Sequence, residues 1–109
     1  MKVPSTNCIP SMLLALGIPA HRVGFKYLCI AIADFTKDSP PFLTKELYPH
    51  IAKATGAQDW RTVEISIRDV IQAGWNKGDR TAWLSYFPGS RRQPTSKQFI
   101  ATMAEYIEQ

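Results

Sequence analysis

Hydrophobic positions recur at three- and four-residue steps from Trp60 through Val63, Ile67, Val70 and Ile71 to Gly74. That spacing places them on one face of an α-helix running from about Asp59 to Lys77. The opposite face carries Arg61, Glu64, Ile65, Arg68 and Gln72. Just upstream, LTKELYPHIAKAT predicts a shorter helix, closed by the Thr55-Gly56 pair. A short helix, a glycine turn and a longer helix with a polar outer face make a helix-turn-helix over about residues 44–77. An ordinary helical hairpin, whose polar face simply meets water, has the same spacing.

The remaining segments repeat the helical period. Ile9 or Pro10 opens a first helix, because proline at a first helical position costs no hydrogen bond. Gly17 ends it near Leu16, Ile18 can pack back over the end, and Pro19 prevents continuation. Met12, Leu13, Leu14 and Leu16 make this helix a lid on the core. A second helix is expected from about Ala20 to Phe35. Val23, Tyr27, Leu28, Ile30, Ala31, Ile32 and Phe35 make it apolar over more than half its girth, the mark of a central, buried helix. Arg22, Lys26 and Asp34 face outward, and His21 is a surface or capping residue. Asp38-Ser39-Pro40-Pro41 is a loop.

Thr44 is placed to cap the next helix. Pro49, five residues on, removes a hydrogen bond and crowds the Lys45 carbonyl, so a distorted first turn is expected there, with regular helix from about Tyr48. Ile51, Ala52 and Ala54 should pack on the long helix. Asp59 can cap that helix and Asp79 the short one after it. Gly74 permits close approach of a neighbour such as Trp83. In the short helix Trp83, Leu84 and Phe87 face the core until Pro88-Gly89 breaks it. Thr95 and Gln98 have capping-box spacing before a final helix that aligns Phe99, Ile100, Met103, Ala104 and Ile107. No segment alternates with period two. The expectation is an all-α, compact domain of five to six helices.

Composition narrows the class. A chain of 109 residues builds one core, so a single domain is expected over 1–109. No apolar run approaches the ~20 residues of a membrane span, and no signal-peptide h-region follows the N-terminus. Cys8 and Cys29 have no C-x-x-C spacing, which fits a reduced, cytoplasmic setting and two inert core thiols. A zinc site from Cys8, Cys29, His21 and His50 would match no common spacing. No G-x-S-x-G, phosphate-cradling glycine loop or H-E-x-x-H occurs, so neither an enzyme nor a cofactor is expected.

Net charge is +4 and the isoelectric point about 9.3. This permits nucleic-acid binding without proving it. The polar-faced helix itself balances Arg61, Arg68 and Lys77 against Asp59, Glu64, Asp69 and Asp79. The basic density lies later, in Arg80, Arg91, Arg92 and Lys97 with no acid between them. If DNA is the partner, this later segment carries much of the electrostatic affinity.

Three runs together carry a resemblance: TKELYPHIAKATG, then VE-x-x-IRDVIQAGWNKGD, then QPTSKQFIATMAEYI, with LGIPAHRVGFKYLCIAIADF upstream. In order and spacing, over about Ile9 to Ile107, they are similar to the C-terminal DNA-binding domain of the sporulation initiation response regulator, the stage 0 sporulation protein A family. The resemblance implies an all-helical effector domain of a bacterial transcription regulator. Its long hairpin helix would enter the major groove of double-stranded DNA, with paired copies on tandem sites and with the transcription machinery as a further partner. It also implies that Glu64 and Arg68 match family residues on the reading face. Where the family usually shows arginines, this chain has Thr62 and Ile65. Arg61 can restore one contact from a neighbouring position. Ile65 can touch a thymine methyl, join a protein interface or simply be tolerated at the surface. The DNA-contact candidates are therefore Arg61, Thr62, Glu64, Ile65 and Arg68 on the helix, with Arg91, Arg92 and Lys97 beyond it. The family's regulator carries a phosphate-accepting receiver; nothing here resembles one, so an excised effector domain or a stand-alone relative is expected.

Two functions fit: a sequence-specific DNA-binding domain, and a helical protein-interaction module that keeps the fold without DNA binding. The missing arginines favour the second and the Arg80–Lys97 segment the first. With the apolar faces assigned to one core, no long exposed apolar helix face remains. The free protein should therefore sediment as a monomer at micromolar concentration; a tight dimer formed without DNA would point to Ile65 or the last helix as the interface.

Overall fold

The computed structural model describes residues 8–35 and 42–108. The expected Asp38–Pro41 loop lies outside them. Among the described residues there is no strand, and the α-helices run α1 (Ile9–Ala15), α2 (Val23–Asp34), α3 (Tyr48–Thr55), α4 (Trp60–Lys77), α5 (Arg80–Tyr86) and α6 (Ser96–Glu108). α2 packs on α1, α3, α4 and α6, which makes it the central helix, as its apolar girth predicts.

Local chemistry sets most helix ends. Gly17 takes φ +79°, and the Ile18 amide donates back to the Leu13 carbonyl, folding Ile18 into the core over the end of α1. Gly56 does the same for α3 at φ +78°, with the Ala57 amide donating to Ala52. Asp59 caps α4 and Asp79 caps α5 through backbone amides. At α6, the Thr95 amide donates to Gln98 Oε1 while the Gln98 amide donates to Thr95 Oγ1, a reciprocal capping box.

Some expectations are corrected. α2 begins at Val23 rather than near Ala20, with Arg22 as its flanking residue and His21 exposed at the surface, as expected. Thr44 does not cap the next helix. Residues Leu43–Leu47 form a widened π-helical turn in which the Leu47 amide donates to Phe42, five residues back. Glu46 Oε1 accepts from the Phe42 amide at 2.8 Å and takes the capping role. The cause is Pro49: lacking an N–H and crowding the carbonyl four residues earlier, it enters at the start of α3 only if the preceding turn opens. This is the distorted first turn that Pro49 predicts, followed by regular helix from Tyr48. Ala54 and Leu84 are exposed rather than packed inward.

One buried indole ties the ends of three helices together. Trp83 Nε1 donates to the carbonyls of Leu16 and Gly74, each at 3.0 Å. Its ring meets Trp75 edge-on at 5.2 Å and Phe99 at 5.7 Å, reaching α4 and α6. A Cβ on Gly74 would lie 2.7 Å from Ile18 and 3.3 Å from the Trp83 ring, so this position needs glycine for space. Trp83→Phe removes the donor to both carbonyls at a fully buried point. The Gly74 carbonyl keeps the Gly78 amide, so the loss falls on the Leu16 carbonyl, and we expect a cost of about 1–3 kcal/mol before any packing loss. Urea unfolding should show a lowered midpoint with an unchanged slope.

Candidate nucleic-acid interface

The interface is built on α4, and its rigidity comes from behind. Val63, Ile67, Val70 and Ile71 are buried. α2 lies against α4, with a close approach at Gly24: a Cβ there would overlap the Ser66 carbonyl and meet the Val70 side chain at 2.8 Å. α3 packs alongside. The outer face is thereby held in one orientation and presents Arg61, Ile65, Arg68 and Gln72 to solvent, with Glu64 half-buried.

The candidate residues fall into three groups. At the start of α4, Thr62 donates both its amide and its hydroxyl to Asp59 Oδ1, at 3.0 and 3.1 Å. Its hydroxyl proton is thus spent on the helix cap. Arg61 lies over the Trp60 ring at 5.5 Å, a cation–π contact that anchors the side chain at the same end. Ile65 stands 47% exposed in the middle of the face.

One turn further on, Glu64 and Arg68 border a groove of about 430 Å³. Its other walls are the widened turn with Tyr48, and the segment from Gln93 to Lys97 at the start of α6. The fold therefore brings Lys97 to the same groove as Arg68, although 29 residues separate them in the chain. Arg91 and Arg92 are exposed on the loop that leads into this wall. Gly89 turns the chain there at φ +75°, and the Ser90 hydroxyl donates to the Arg92 carbonyl at 2.9 Å. Arg80 stands apart from this group, stacked over Trp75 at 4.6 Å.

Two groove residues have no counterpart among the sequence candidates. Tyr48 is 1% exposed, and its hydroxyl has no hydrogen-bond partner in the chain. It lies close to Ser96, within the fields of Glu64 and Arg68, but no bond to any of them meets hydrogen-bond geometry. Burial pushes its hydroxyl up to about 12. The only trace of this in the sequence is the Tyr-Pro pair, which speaks to the backbone and not to the hydroxyl. Ser96 reads only as the residue after a helix cap.

Elsewhere the ionisable groups are unremarkable for catalysis. His50 approaches Asp34 at 3.6 Å, both exposed. Cys29 is half-buried and its thiol is pushed up by desolvation, in keeping with an inert thiol. Among the described residues no three His, Cys, Asp or Glu side chains gather as a metal site, and no helix is long and apolar enough to cross a membrane.

The domain is all-helical, and the succession of α3, the Gly56 turn and α4, with one face of α4 turned outward beside a basic loop, fits the helix-turn-helix of a transcription-factor effector domain. Residues 9–107 match the family described as "Sporulation initiation factor Spo0A C terminal", and the chain belongs to that family. The family is one of DNA-binding effector domains of a sporulation response regulator, not of enzymes.

The cap at the start of α4 has a pH signature. The hydrogen bonds from the Thr62 amide and hydroxyl hold the Asp59 carboxyl below the usual carboxylate range. A depressed folded-state pKa stabilises the protein above the unfolded value of about 3.9, and that stability is lost as pH falls through the folded value. Asp59→Asn keeps a competent cap but does not titrate. In urea titrations the wild type should lose stability relative to Asp59→Asn as pH is lowered from about 5 toward 2; parallel curves over that range would exclude the carboxylate as the operative group.

Proposed function

We propose that the chain binds double-stranded DNA sequence-specifically, with α4 in the major groove. The observation that carries this reading is the pairing of a fully buried back face, at Val63, Ile67 and Ile71, with long polar side chains on the front. Packing behind the helix limits the positions from which Arg68 can present its guanidinium. That suits bidentate contact with guanine O6 and N7, and Glu64 can accept from cytosine N4. Arg61 and Ile65 extend the face, Ile65 through a thymine methyl, while Thr62 serves mainly to close the cap. Arg91, Arg92 and Lys97 take phosphates, supplying the electrostatic grip that the nearly neutral α4 lacks. Paired copies on tandem sites and contact with the transcription machinery follow as further partners of such a domain.

Exposed Ile65, at the centre of the face, supports the competing reading of a protein-interaction module. Titration separates the two. A preferred duplex, found by selection from a random pool, and a scrambled one are titrated at several salt concentrations. Arg91→Ala should weaken both alike and lower the salt slope by about one unit. Arg68→Ala should cost about 1–3 kcal/mol on the preferred duplex and much less on the scrambled one. An unchanged ratio between duplexes for Arg68→Ala would remove α4 as the reader. Failure of the wild type to bind any duplex at low salt would favour the interaction module.

A further inference from the structure

We propose that the start of α6, with Ser96 and Tyr48, seats one phosphodiester of the DNA backbone beside the bases that α4 reads; this rests on the DNA-binding reading above. The first observation is the Tyr48 hydroxyl. It is buried, unpartnered and directed toward the groove wall at Ser96. A hydroxyl left in that state costs stability that phenylalanine would not. Such a group is explained if its partner becomes available only in a complex.

The second observation is the helix end itself. α6 is 13 residues long, and the capping box leaves its first amides, those of Ser96 and Lys97, without a carbonyl inside the helix to bond. They lie on the same groove as Arg68 and the Lys97 side chain. Helix N-termini with adjacent cations attract anions. Glu64 on the opposite wall opposes a second negative charge, so the site suits a singly charged diester better than a free phosphate dianion.

In the bound state the phosphate oxygens accept from the Ser96 hydroxyl and the Lys97 amide. The Ser96 oxygen, oriented by that bond, accepts in turn from the Tyr48 hydroxyl. Tyr48 is a positioning residue in this scheme and does not touch the DNA. Its hydroxyl keeps its proton throughout the physiological range, since burial raises it to about 12.

Tyr48→Phe and Ser96→Ala are tested by thermal unfolding and by titration with selected and scrambled duplexes across a salt series. Tyr48→Phe should unfold at or above the wild-type temperature, because it deletes a buried hydroxyl with no hydrogen-bond partner in the free chain, and Ser96→Ala should unfold near it. Both should bind either duplex about 3–10-fold more weakly, the size of one or two lost hydrogen bonds, with the salt slope unchanged. Lys97→Ala should lower that slope by about one unit. A single neutral methylphosphonate, moved along the selected duplex, should weaken the wild type most at one position and weaken Ser96→Ala less at that same position. If the wild type binds DNA and both hydroxyl variants bind as tightly, this inference fails and the proposed function stands. If the wild type binds no duplex, both fail. If millimolar inorganic phosphate shifts the Ser96 and Lys97 amide resonances and duplex does not, the site takes a free anion and the phosphodiester assignment is overturned.

Discussion

The structure depends on how closely α2 approaches α4. At Gly24 the space of a single Cβ is already filled by the Ser66 carbonyl and a Val70 methyl. Two helices meeting backbone to backbone exclude the side-chain layer that would otherwise let one slide over the other. The contact sets the orientation of α4, and with it the direction in which Arg61, Glu64, Ile65 and Arg68 project. Any larger residue would have to displace backbone, not a flexible side-chain tip. α2 also packs on α1, α3 and α6, so movement at this point would be felt across the core.

Trp83 complements that contact at the other end of the long helix. Its indole joins the last carbonyl of the first helical segment to the Gly74 carbonyl of α4, while its ring seats Trp75 and Phe99. α4 is thus held at its middle by α2 and near its C-terminus by α5, with its N-terminus closed by Asp59. In the proposed complex, a helix restrained in this way loses little freedom on docking, which favours specificity over adaptability.

Charge is distributed by the same logic. α4 is nearly neutral, and the cations beyond it arrive from the loop before α6 and from α6 itself. In the proposed complex, reading and grip reside on different elements that meet at one groove.

The one-dimensional pattern determined a good deal by itself. The all-helical class, the hairpin closed at Gly56, the caps at Asp59, Asp79 and Thr95, and the buried faces of α4 and α6 follow from period and from side chains bonding backbone a few residues away. Those interactions are local, so the chain carries them in plain order. The misplacements of Thr44, Ala54 and Leu84 mark where this locality ends. A helix start reshaped by a proline five residues downstream, and the burial of one residue on a short helix, depend on what packs beside them. The site divides the same way. Arg68 and Glu64 are legible as an outward face, whereas the meeting of Lys97, Ser96 and Tyr48 with Arg68 exists only after α3, α4 and α6 converge. Whether a tyrosine hydroxyl in such a place finds a partner is a property of three helices at once, and only the tertiary structure could decide it.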